Sequence, residues 1–321
     1  MSSTSSVSFP APIGGVPLER DFAPSIVFAV LYAILVAIAI YRFARTKSRT
    51  LVVIGTFAFV VERVVIWSLR AKQAKTPSEE LDRNLTIYWQ TTFAAGYVSI
   101  YSGTTALLRC LLVRTTQGAP VGGQVPLTGD SQSLASPRTP SLEERDTIVV
   151  GEDAPRLRFW YRRMFGVLAL SSWVPIILSI IMGYNYVEAE TSASKAQYVQ
   201  TLRYVVTAFA LAFVLILQGI AIFALLCVRR VQRTGVTLSI VVCTLLNIVS
   251  IYHFVIMRNW TDALISTAPG SQNAIGEKAA FYVLQALPEA IAAALLLVPD
   301  VREHFSTGLR GDRLTDPKAK V

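Results

Sequence analysis

The 321-residue chain is poor in charge. Asp, Glu, Lys and Arg together make up 16% of it, against about 25% in an ordinary soluble domain. That is too little to cover the surface of a soluble fold this long, which excludes an ordinary cytosolic enzyme. Histidine is nearly missing: only His253 and His304 occur. They fall on opposite predicted sides, so a three-histidine intramembrane zinc site is excluded. The three cysteines, Cys110, Cys227 and Cys243, all avoid the predicted outer side, which excludes an outer disulfide and a disulfide-rich secreted scaffold. No Gly-Xaa-Ser-Xaa-Gly elbow occurs, and no Gly-Xaa-Xaa-Xaa-Xaa-Gly-Lys phosphate loop. The sequence therefore assigns no catalytic residue, no metal site and no cofactor.

Apolar residues fill the space that charge leaves: 53% of the chain is hydrophobic. A helix needs about 20 mostly apolar residues to cross a bilayer. Seven stretches meet that length, approximately residues 24–41, 51–69, 86–108, 164–186, 204–228, 236–257 and 279–298. The third is the most polar, but no charge lies between Thr86 and Leu108. The sequence predicts an all-α, multi-pass bundle of seven transmembrane helices spanning residues 24–299. Residues 1–23 precede it and a tail, 300–321, follows. Most of the 30 Lys and Arg residues lie in the first, third and fifth connections and the tail. By the positive-inside rule this puts the N-terminus outside and the C-terminus in the cytosol. The net charge of +9 is then an orientation signal, and no nucleic-acid partner is needed to explain it. Basic residues at the inner face also suit anionic lipid head groups.

The sequons at Asn84 and Asn259 fall in predicted outer connections and are candidate glycosylation sites. The long third cytosolic connection, 117–155, is rich in Gly, Pro, Ser and Thr and is expected to be disordered. It reads as a solvated linker. The other reading is a regulatory segment phosphorylated at Ser136, Thr139 and Ser141, or one that docks a cytosolic partner. The cysteines read as buried structural thiols, with palmitoylation of Cys110 and Cys227 as the alternative. Arg302, His304 and Phe305 predict a brief interfacial helix.

Ionisable groups inside spans cost roughly 2.5–3.5 kcal/mol each on insertion scales, so they mark function by default. Glu62 and Arg63 lie deep in the second span and Glu289 lies in the seventh, at comparable depths. An Arg63–Glu289 pair between these spans is expected, with Arg63 also stacking on Trp67. Glu62 points about 100° away and cannot share that partner squarely. Two readings stand side by side: a polar ligand or transport cavity, or a charge pair that holds the bundle together. Tyr282, Gln285 and Asn247 are further lining candidates. His253 reads as a packing residue. Pro175 and Pro288 are expected to kink their helices, Pro288 serving as the hinge. Ala95, Ser99 and Gly103, four apart, form a small-residue stripe for close helix approach.

The seventh span reads Glu277-Lys278-Ala279-Ala280-Phe281-Tyr282-Val283-Leu284-Gln285-Ala286-Leu287-Pro288-Glu289 and leaves through Val298-Pro299-Asp300-Val301-Arg302. This resembles the last span of the fungal lipid-translocating exporter (aminocholesterol-resistance) family: an acidic residue, a Phe-Tyr-Val run, Ala-Leu-Pro and a basic exit. Glu289 stands where that family usually carries an apolar residue, and its Gly-rich central motif is not evident. The resemblance implies a eukaryotic plasma membrane or endomembrane and translocation of an amphipathic lipid-like molecule, or a role in membrane stress. A receptor-like sensor, signalling through the third connection and the tail, is the alternative. The Asp-Arg-Tyr and Asn-Pro-Xaa-Xaa-Tyr signatures of familiar seven-helix receptors are absent.

Overall fold

A computed structural model describes residues 7–46, 48–79, 81–117, 153–228, 231–309 and 311–312. Ser136, Thr139 and Ser141 lie outside the described residues.

In hydrocarbon a backbone satisfies its polar groups internally as a helix, and the apolar runs do so. Helix α1 (Phe22–Ala44) packs along α2 (Ile54–Lys75). Next come α3 (Arg83–Ala95), capped by the Asp82 carboxylate accepting from the Leu85 N–H at 2.9 Å, and α4 (Val98–Thr115). Helices α5 (Pro155–Ser171), α6 (Trp173–Ala189), α7 (Ala193–Cys227) and α8 (Arg233–Met257) follow. The last traverse is composite: α9 (Ile275–Phe281), a π-helical turn over Tyr282–Ala286, and α10 (Leu287–Leu297). A short helix, α11 (Val301–His304), stands at the place where a brief helix is expected. The strands are two residues each, β1 (Phe9–Pro10) antiparallel to β2 (Trp260–Thr261).

Among the described residues, six helical segments are long and apolar enough to cross a membrane: Glu19–Ala44, Leu51–Lys75, Pro155–Ala189, Ala193–Cys227, Arg233–Met257 and Ile275–Leu297. Their side chains are sorted for lipid. On α1, Ala29, Tyr32, Leu35 and Ala39 are buried, while Val27 and Ile34 are 63% and 55% exposed. Leu170 and Leu226 exceed 70% exposure. Soluble monomers rarely expose apolar patches beyond a few hundred Å². An apolar belt shared by several helices belongs in a bilayer, and the architecture is that of an all-α, multi-pass membrane protein.

The predicted third span is not among the six. It is helical in two pieces, α3 and α4, joined at Gly96–Tyr97. A side chain at Gly96 would place its Cβ 2.7 Å from Arg63 Nη2, so the junction is glycine where α2 delivers its buried cation. The predicted stripe brings α4 against α2, since a Cβ at Gly103 would sit 2.6 Å from Thr56 Oγ1. The fourth span breaks at Ser172, between α5 and α6. Pro175 has no N–H for the carbonyl of Ser171, four residues back. Cys110 and Cys243 are buried as expected, but Cys227 is exposed. It ends α7 on the side away from the packed helices.

Hydrogen bonds between distant parts of the chain gather at two ends of the bundle. One end joins residues 9–16 to Gln90, Tyr186, Asn259 and Asn273. The other joins the first connection to the tail, with Thr50 donating to the Gly308 carbonyl and Leu51 to that of Leu309. There Arg109 and Arg162 both pair with Asp312.

Candidate functional site

Arg63 and Glu289 meet. Arg63 Nε donates to Glu289 Oε2 at 3.0 Å, and Nη2 lies 2.8 Å from the same oxygen. Their side chains are 0% and 1% exposed. Nη2 also reaches the Thr92 carbonyl at 3.4 Å, at the end of α3. The guanidinium lies over Phe59 at 4.5 Å and Phe93 at 5.4 Å, not over Trp67. A helical side chain leans toward its helix N-terminus, so Arg63 meets the residue four before it rather than four after. Trp67 stacks instead on Phe28, 4.9 Å between ring centres. Arg63 Nη1, Glu289 Oε1 and the Tyr32 hydroxyl are buried without a hydrogen-bond partner among the described residues. One ion pair thus ties α2 to α10 in aromatic surroundings, where leaving either charge alone would be costly.

The other predicted residues divide around this pair. Glu62 is half-buried and points elsewhere on α2, interacting electrostatically with Tyr88 of α3. Gln285, in the π turn, donates to the Phe93 carbonyl at 3.1 Å, and its oxygen faces His253 Nε2 at 3.1 Å. That contact engages one ring nitrogen of buried His253, while Nδ1 has no hydrogen-bond partner among the described residues. Leu287, whose N–H closes the π turn on the Tyr282 carbonyl, precedes Pro288 and Glu289. The missing Pro288 N–H is thus absorbed by a local widening, a feature frequent at functional sites. Asn247 does not join this group. It donates to Gln218 on α7, and Gln218 donates to Thr244 at 3.0 Å. Its polar type and its place on the sixth predicted span made it a lining candidate, and neither says which way it faces.

Tyr282 belongs to a second polar cluster that the sequence reading missed. Its hydroxyl donates to Asp21 Oδ1 at 2.7 Å, and Lys278 Nζ pairs with Asp21 Oδ2 at 2.8 Å. Lys278 also donates to the carbonyls of Gly14 and Val16. Arg70, fully buried on α2, donates to the Gly14 carbonyl at 2.6 Å. The N-terminal segment is therefore folded into the mouth of the bundle, where Phe9, Ala11 and Ile13 are buried. Gly14 and Gly15 have φ of 70° and 61°, the left-handed region that favours glycine, and a Cβ on Gly15 would collide with Asn273 and the Gln272 backbone. The Gly14-Gly15 pair beside Pro12 was the available signal. It marks a turn but not where the turn docks.

Arg203 on α7 completes the mouth. It is 1% exposed, and none of its three guanidinium nitrogens has an acceptor among the described residues. Its electrostatic neighbours are the phenols of Tyr186, Tyr204 and Tyr252. Between α6 and α7, half-buried Glu190 is held above the ordinary carboxylate range by burial, with Arg83 opposing the shift. Of the sequons, Asn84 is exposed in the first turn of α3, and Asn259 is half-buried, its carbonyl accepting from the Ala11 N–H at 3.0 Å. No cluster of His, Cys, Asp and Glu able to hold a metal occurs among the described residues.

No protein-family model matches the chain, and neither do curated proteins or solved structures.

Proposed function

We propose that the chain is a seven-span protein of a eukaryotic membrane, N-terminus outside, acting as a receptor-like sensor of an amphipathic ligand. The α3–α4 pair supplies the third span. One observation carries the reading: α2 and the last traverse are tied together twice. At the mouth, Arg70 and Lys278 hold the same carbonyl, that of Gly14. Deeper in, Arg63 holds Glu289. A ligand that lifts residues 9–16 releases the first tie and loads the second, beside the π turn and Pro288. The opposite ends of α2 and α10 are then free to shift and signal through the third connection and the tail.

The test uses spin labels on I54C and V298C, both at exposed positions, in a C227S background. Gly15→Val, which unseats the N-terminal segment, is expected to shift the distance between the labels. An unchanged distance would sink the sensor reading.

A second reading, translocation of a lipid-like molecule, has its own support. A cleft of about 810 Å³ at the other end runs from apolar Ile38 and Tyr41 to Arg42, Arg45 and Asp300, a wall suited to a chain and a head group. Proteoliposomes that move labelled sphingoid base or phospholipid between leaflets, and lose that movement in Arg45→Gln at the wall of this cleft, would favour this reading over the sensor.

A further inference from the structure

A guanidinium buried without an acceptor needs explanation. Taking an ion out of water costs several kcal/mol even after relaxation, and proteins keep such charges only when a partner compensates them. Arg203 has none among the described residues. Two carboxylates stand near its tyrosine neighbours: Glu277, by Tyr252, accepts from the Gly270 and Ala274 N–H groups, and half-buried Glu190, by Tyr186, faces Arg83 and makes no ion pair with Arg203. The Tyr252 hydroxyl, beside Arg203, is likewise buried without a partner. Two donors of one small region therefore lack an acceptor.

The roof over them is the N-terminal segment. The Tyr186 hydroxyl, an electrostatic neighbour of Arg203, donates to the Pro10 carbonyl at 2.8 Å. Phe9 packs edge-on against the Tyr186 ring, and β1 lies against α7. Tyr204, next to Arg203 on α7, is 39% exposed, so the region reaches the outer surface of an apolar helix.

We infer that Arg203 and Tyr252 form a carboxylate site for a long-chain, membrane-borne acid, and that residues 9–16 cover it until such a ligand displaces them. A planar guanidinium fork matches a carboxylate in bidentate fashion, and the phenol supplies a third donor. The apolar, lipid-side flank accepts the chain. As the ligand class of the proposed sensor this rests on that reading, but binding is measured apart from signalling.

The experiment is hydrogen exchange on the full chain in nanodiscs, read at the amides of Ile13 and Val16, which donate to Gln90 and Asn273. Three probes are compared: oleate, oleyl alcohol and acetate. Oleate is expected to speed exchange at both amides by about tenfold or more, the signature of local opening. Oleyl alcohol is expected to do nothing, and acetate to act weakly. Arg203→Gln should abolish the oleate effect while Arg203→Lys keeps part of it. Should Arg203→Gln fail to fold, Gly15→Val carries the test, with oleate binding tighter than in the wild type because the roof is unseated. An oleate effect equalled by oleyl alcohol, or one that survives in Arg203→Gln, overturns the site, as does unchanged affinity in Gly15→Val. Oleate opening with no change in the I54C–V298C distance supports the site and removes the sensor.

Discussion

Arg63 and Glu289 illustrate what a residue-level reading reaches. Their depths follow from 1.5 Å of rise per residue, and two opposite charges at one depth in an apolar bundle have strong reason to meet. What surrounds them was not legible. The rings over Arg63, Phe59 and Phe93, come from its own preceding turn and from α3, and side-chain direction settles the first only once the lean of helical side chains is applied. The energetics are asymmetric. Glu289→Gln leaves Arg63 charged, buried and without its partner, and should cost about 3–5 kcal/mol, seen as a lower midpoint of thermal unfolding in nanodiscs. Removing both charges with similar volume, R63M with E289L, should recover most of that loss. If the pair is only a brace, this double variant works normally. If it is the lock of the proposed sensor, it is folded and silent, with the I54C–V298C distance unresponsive to Gly15→Val.

Elements were legible where a helix is long and uniform, and less so where proline or close packing intervenes. Pro288 predicted a kink, and the chain resolves it as a π turn followed by a fresh helix. Pro175 predicted a kink and yields a break at Ser172. The third predicted span was correct in being helical, but the Gly96 junction depends on the approach of Arg63 from another helix, which no local pattern encodes. Contact between α3 and α6 is equally non-local. It is close enough that a Cβ at Gly183 would press on Thr91 Oγ1 and lie 3.1 Å from the Ile87 carbonyl. Thr91 can rotate away and the backbone carbonyl cannot, so Gly183→Val should destabilise the protein by about 1–3 kcal/mol, the usual range for overpacking. Gly166 and Gly219 sit inside helices and meet nothing within 4 Å, so alanine at either should stabilise the protein by about 0.5–1 kcal/mol, seen as a slightly higher melting midpoint.

For the whole molecule, the belt of exposed apolar side chains and the uneven basic residues were both readable from one strand of text, because lipid and positive-inside bias act on composition. The mouth was not readable. Lys278 and Arg70 counted as basic flanks of spans, yet both are turned inward and hold the N-terminal backbone. Orientation has a direct check. A membrane-impermeant maleimide applied to intact cells or sealed vesicles should label A268C, at an exposed position of the mouth-side loop, from outside. Labelling only after permeabilisation would reverse the proposed topology. The pairing of β1 with β2 joins residues made about 250 positions apart, Pro10 with Trp260. Synthesis proceeds from the N-terminus at about 5–20 residues per second, so Phe9 and Pro10 wait many seconds for their partner. During that interval the segment with Phe9, Ile13 and Val16 stays without its β2 partner. The strand pair at the mouth can therefore close only after Trp260 and Thr261 are made, and a nascent chain stalled before Trp260 is expected to carry that end without it.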